Sequence, residues 1–173
     1  VRRAILLFMG LFFLTSCGFH TRGNIILAPP LHSIYLKTND PYGQLAKNIK
    51  QHLKTSGVHI TNQPSEAMTV LDILSEQQNN QLVNTSGTQQ TRQYNLILTV
   101  NFQITDPFGK ILTPAQTVSE SRSLTIQSNQ ILAGSNESLN LYQQMRRAIV
   151  FDIISRLSSR DITTTLAAEY QGK

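Results

Sequence analysis

Cysteine is almost absent from this sequence: its 173 residues contain one, Cys17. A single thiol excludes an intramolecular disulfide and any Cys-x-x-Cys metal site, so the fold must rest on an apolar core. Charge is scarce as well. Asp, Glu, Lys and Arg make up only 14% of the chain, without the dense basic stripe that holds nucleic acid. No GxSxG elbow, HExxH helix, phosphate loop or GxGxxG turn is present. The four histidines, His20, His32, His52 and His59, are scattered, with no second ligand type at metal-binding spacing. No cofactor is implied. Nor does any apolar run approach the roughly 20 residues that cross a bilayer as a helix. These absences point away from catalysis and nucleic acid, toward binding and anchoring.

The one cysteine stands behind an address. Arg2 and Arg3 form a basic start, and Ala4 to Leu14 is an uncharged apolar run of eleven residues. That length fits a secretory signal. Leu14-Thr15-Ser16-Cys17 follows, a hydrophobic residue and two small ones before a thiol. Thr15 and Ser16 are small enough for a narrow peptidase cleft. The Cys17 sulfur is the side chain most readily made a nucleophile for lipid attachment. The pattern predicts a lipoprotein signal over 1–16, cleaved before a lipidated Cys17, with Gly18 next to it suiting transfer to the outer membrane. Residues 17–30 then form a tether, partly laid against the domain through Ile25, Ile26 and Leu27 and ended by Pro29-Pro30. Losing Arg2 and Arg3 lowers the formal charge from +5 to +3.

Residues 31–160 are predicted to form one domain. Leu31 to Thr38 alternates as a strand, with Ile34 and Leu36 on one side. Asp40 and Pro41 suit the cap and first position of a helix in which Leu45, Ile49 and Leu53 form one apolar stripe, stopped at Gly57. Lys47, Lys50 and Lys54 occupy its other faces: an anion-facing surface or a solvated one. Met68 to Ser75 reads as a central strand that either runs on through the polar residues 76–81 or breaks there. Within it Asp72 reads as an edge residue or a satisfied buried carboxylate. Asn84 to Gly87 is a hairpin tip by composition. Tyr94, Leu96, Leu98, Val100, Phe102 and Ile104 alternate through the clearest strand of the chain. A turn at Asp106 to Gly109 leads to a further strand region, from Lys110 to about Gln127, in which Glu120 and Arg122 face solvent or a partner. Ser135 or Asn136 is the expected cap of a last helix with an apolar stripe from Leu139 to Leu157. Arg146, Arg147, Arg156 and Arg160 are assigned to its outside. The tail 161–173 reads as flexible. The order β-α-β-β-β-α predicts an α+β two-layer sandwich, two amphipathic helices packed on a mostly antiparallel or mixed sheet.

Three stretches carry a resemblance: Cys17-Gly18-Phe19-His20-x-Arg22, Asn39-Asp40-Pro41-Tyr42-Gly43-x-Leu45, and Tyr94 to Val100. Together, and in this order, they are similar to the LptE family of outer-membrane lipopolysaccharide-assembly lipoproteins. The resemblance implies a lipid-anchored plug inside the lumen of an LptD-like β-barrel, assisting barrel assembly and passing lipopolysaccharide to the outer leaflet. It also implies lipopolysaccharide contacts from basic residues, one of them at the hairpin tip. Asn84 to Gln89 contains no basic residue. Arg92, just behind it, and the Lys47/Lys50/Lys54 face are therefore the candidate ligand-binding residues. Arg92 could equally pair with an acid across the sheet. The competing expectation is a free-standing outer-membrane lipoprotein that binds a small envelope ligand and has no barrel partner.

Overall fold

A computed structural model describes residues 27–85, 91–127 and 131–171. Cys17, Ile25 and Ile26 therefore lie outside the described residues, as does most of the hairpin tip. Strand β1 (Ser33–Thr38) leads into helix α1 (Gln44–Thr55) and the short strand β2 (His59–Ile60). Three long strands follow, β3 (Thr69–Thr85), β4 (Thr91–Thr105) and β5 (Ile111–Gln127), then helices α2 (Ile131–Leu157) and α3 (Arg160–Gln171). The sheet order is β2-β1-β3-β4-β5. β1 runs parallel to β2 and β3, while β3, β4 and β5 form an antiparallel meander, so the sheet is mixed.

Alternation in β4 decides which face is covered. Leu96, Leu98, Val100, Phe102 and Ile104 are fully buried or nearly so, joined from β1 and β3 by Ile34, Leu36, Leu71 and Ile73. Helices α1 and α2 lie side by side on this face and supply Ile49 and Leu53, then Met145, Ile149, Ile153 and Leu157. The expected α2 stripe holds except at its start, where Leu139 is 61% exposed. Among the described residues no helix covers the other face of the sheet at β4, and its residues from Asn95 to Gln103 are half-buried.

Several boundaries differ from the sequence expectation. Helix α1 begins after Gly43, not at Asp40-Pro41. The Asp40 amide donates to the Thr38 hydroxyl at 3.3 Å, and the Asp40 carbonyl accepts from the Gly43 amide at 3.3 Å. The Asp40 carboxylate folds over Gly43 so closely that a Cβ there would stand 2.3 Å from its oxygen. The acid closes a turn, and the helix starts behind it. Helix α2 starts at Ile131, four residues before Ser135. A Cβ at Gly134 would meet the Ile126 side chain at 2.7–3.0 Å, so glycine lets α2 approach β5.

The largest difference is at the C-terminus. Residues expected to form a flexible tail form α3, in which Ile162 and Leu166 are buried and Tyr170 packs against the core. Helix α3 crosses the lower end of the sandwich, contacting β5 and the 3-10 turn Pro29–His32 that precedes β1. Lys110 pairs with Glu169, and the Tyr170 hydroxyl donates to the Met68 carbonyl.

β3 does not break at its polar middle. It pairs with β4 from Val70↔Thr105 to Thr85↔Arg92, with register shifts at Ile73/Ser75 and Leu82/Asn84. β1 accompanies β3 only as far as Ile73. Beyond that step the outer edge of β3 has no strand beside it among the described residues.

Candidate functional site

The uncovered face of the sheet is built of short polar side chains that satisfy one another. Asp72, 8% exposed at its side chain, accepts from the Lys37 ammonium at 3.0 Å and the Gln103 amide at 3.3 Å. Asp72 is thus a satisfied buried carboxylate. Farther along, the Asn101 amide donates to the Ser75 hydroxyl at 2.9 Å, and its oxygen accepts from the Thr117 hydroxyl at 2.6 Å. Thr99 and Ser119 share a hydrogen bond of 3.0 Å. Cross-strand pairs of this kind each contribute a fraction of a kcal/mol, about 0.2–1. Their collective effect is a face close to neutral and rich in donors and acceptors. Such a face can be laid against another polar wall without stranding a charge.

The covered face changes character above the core. Past Ile73 the helix-side residues of β3 become Glu76, Gln78 and Asn80, which pair in register with Val100, Leu98 and Leu96. Helix α2 meets them with polar groups of its own. Arg146 is only 16% exposed at its side chain and its Nε donates to Glu76 at 2.7 Å. The Tyr142 hydroxyl donates to the Asn79 carbonyl at 3.2 Å and to the Asn80 side chain. Arg156 donates to Gln116 at 3.3 Å. Arg146 and Arg156, assigned to the outside from the sequence, instead tie α2 to the sheet. Glu120 and Arg122 pair with each other at 2.9 Å on the helix-side face of β5.

Burial raises the Tyr142 phenol above its ordinary value of 10.0, and the nearby Arg146 charge pulls it the other way. The unfolded phenol loses its proton first as pH rises. Its contribution to stability is therefore complete below about pH 10 and is lost as pH climbs through the folded value. Denaturation midpoints at neutral and strongly alkaline pH should show a smaller alkaline loss for Tyr142→Phe than for the wild type. An equal loss in both would assign the alkaline sensitivity elsewhere.

Where β1 stops, a cleft of about 520 Å³ opens between the 38–43 turn and the upper part of β3. Thr38, Asp40, Gly43, Leu74, Gln77 and Arg146 are among its lining residues. Nothing in the sequence reading anticipated it, because it arises from the difference in length between two paired strands.

The candidate cations are placed apart. Lys47 and Lys54 are exposed on α1 and Lys50 is half-buried, beside the short strands β1 and β2. Arg92 is exposed near the top of the hairpin, where its cross-strand neighbours are Thr85 and Ile126. Neither neighbour is an acid. From the level of Glu76, beside the start of α1, to Thr85 the strand climbs on the order of 30 Å. The structure does not gather Arg92 and the lysines into one site.

Solved structures of bacterial lipoproteins share this α+β fold. A minor lipoprotein from Acinetobacter baumannii is similar at TM-score 0.61 and 24% identity, over 74% of this chain and 93% of that one. Rare lipoprotein B from Shewanella oneidensis is similar at TM-score 0.66 and 21% identity, over 76% and 98%. At these identities the likeness speaks for the fold alone. The family is given by sequence: a model described as LptE, lipopolysaccharide-assembly, matches residues 31–157, and the chain belongs to that family. The LPS-assembly lipoprotein LptE of Yersinia enterocolitica is 30% identical over 158 residues, covering 90% of this chain and 75% of that protein. Its counterpart in Photorhabdus laumondii is 28% identical over 157 residues, covering 90% and 85%.

Proposed function

We propose that this chain is an outer-membrane lipoprotein, anchored through Cys17, that sits as a plug inside an LptD-like β-barrel. In that position it assists assembly of the barrel and delivery of lipopolysaccharide to the outer leaflet. The observation that carries the reading is the neutral, self-satisfied polar face of the sheet, continued up the hairpin by Gln77, Asn79 and Gln81. A barrel lumen is itself lined by polar side chains. A plug therefore needs broad hydrogen-bonding faces more than an apolar patch. Family membership supports the same reading, and no catalytic step is assigned.

Lipopolysaccharide presents phosphates and sugars. Arg92 would meet phosphate near the tip, and Lys47, Lys50 and Lys54 would add long-range attraction from α1. The test has two parts. Purification from detergent-solubilised outer membrane should recover a large barrel protein in stoichiometric amount; a monodisperse chain alone would favour the free-standing lipoprotein. Lipopolysaccharide binding should weaken in Arg92→Ala at unchanged stability, and lose part of its salt dependence in the triple Lys47/Lys50/Lys54→Ala variant. Unchanged, salt-insensitive binding in both would leave the plug role purely structural.

A further inference from the structure

The lower end of the domain exposes a group of large apolar side chains. The turn between β4 and β5 is rigid. Buried Asp106 accepts from the amides of Phe108 at 2.9 Å and Lys110 at 2.8 Å through one carboxylate oxygen. Gly109 closes the turn at φ +90°, a left-handed conformation that glycine adopts without strain. This frame holds Phe108 outward at 91% exposure. Met68, 42% exposed, and Ile111, 58% exposed, lie at the same end, since Val70 and Ile111 both pair with Thr105. Three large apolar side chains at one end of a domain make an interfacial set, and the neighbouring Lys110 ammonium is already paired with Glu169. Aromatic rings favour the level of lipid headgroups.

The chain leading to the anchor enters at this end. Leu27 and Ala28 are buried there, and the Pro30 carbonyl accepts from the Thr69 hydroxyl at 2.8 Å, one residue from Met68. Ten residue steps separate Leu27 from Cys17, a span of at most about 35 Å. The same end is thereby confined close to whatever surface holds the acyl chains. We infer that, in the barrel-free lipoprotein, the Phe108 turn with Met68 and Ile111 rests on the phospholipid surface that holds the anchor. It would orient the domain with its hairpin pointing away. The inference rests on lipidation at Cys17.

The sequence contains no tryptophan, so one introduced indole is a sole reporter. Mature lipidated Phe108→Trp protein is reconstituted into phosphatidylethanolamine/phosphatidylglycerol liposomes, beside Leu82→Trp, whose reporter stands on the upper hairpin at a position 55% exposed. Both positions are on the surface, so folding is not at stake. After flotation, indole emission from the Phe108→Trp variant should shift to the blue and be quenched by lipids brominated at shallow acyl positions. Emission from the Leu82→Trp variant should stay water-like. Floated protein in which the turn reporter is as water-exposed as the hairpin reporter, or in which both are quenched alike, would overturn the orientation and leave the anchor intact. Protein that fails to float would instead remove the lipidation reading and this inference with it.

Discussion

Replacing Phe102 with alanine is expected to cost about 3–5 kcal/mol, enough to remove a large part of the stability of a domain this size. Phe102 is among the largest fully buried side chains, at 0% exposure. It sits in β4, the strand flanked by β3 at Ile73 and by β5 at Gln116, and faces the helices. The neighbouring β4 positions Val100 and Ile104 lie in a strand paired on both sides, so the backbone there can relax only in part. Lys47→Ala, an exposed change on α1, should stay within about 0.5 kcal/mol. Chemical denaturation of the two variants checks both values. A reversed order would mean that the apolar row of β4 faces away from the helices.

Cys17→Ser should have the largest effect on behaviour: complete loss of lipid attachment and of stable membrane retention. Each buried methylene contributes about 0.8 kcal/mol, and a single chain holds only reversibly. Several acyl chains at one residue bury dozens of methylenes, whereas Phe108, Met68 and Ile111 together offer three side chains. Serine cannot supply a thiolate, so the variant should accumulate as precursor or as soluble exported protein. The mass of the mature N-terminus and membrane fractionation give the answer directly. An unmodified Cys17 in the wild-type protein would end the lipoprotein reading, and recovery in the inner membrane would contradict the outer-membrane address.

The elements legible in the sequence were those whose pattern is enforced by a single buried face. The β4 alternation and the Met145, Ile149, Ile153 row of α2 repeat at the period of their structure, so they could be read without knowing what they pack on. Helix α3 was missed because Thr163, Thr164 and Thr165 make it look like a polar tail. The available signal was Ile162, Leu166 and Tyr170 at spacings of four, which puts one short apolar stripe on the core side. The middle of β3 was ambiguous for a different reason. Gln77 to Gln81 has no strand preference of its own; its extension is imposed by hydrogen bonding to β4. Helix starts were displaced where Asp40 closes a turn instead of capping α1, and where α2 begins at Ile131, ahead of the expected cap at Ser135 or Asn136. The candidate cations were visible as residues, yet their separation was not, because it depends on how far a hairpin climbs above its helices.

The unaccompanied edge of β3 has a consequence for solubility. A Gln- and Asn-rich strand whose edge has no strand beside it among the described residues is a template for stacking against copies of itself, and polar zippers grow from such stretches. Between Ser75 and Leu82 only Glu76 carries charge, so repulsion offers little protection. The two register shifts, at Ile73/Ser75 and Leu82/Asn84, bracket this stretch. Bulges bend a strand and increase its twist, which makes the exposed edge a poor match for a flat, in-register neighbour. The two irregularities in the ladder therefore make this stretch a poor template for fibril-like stacking.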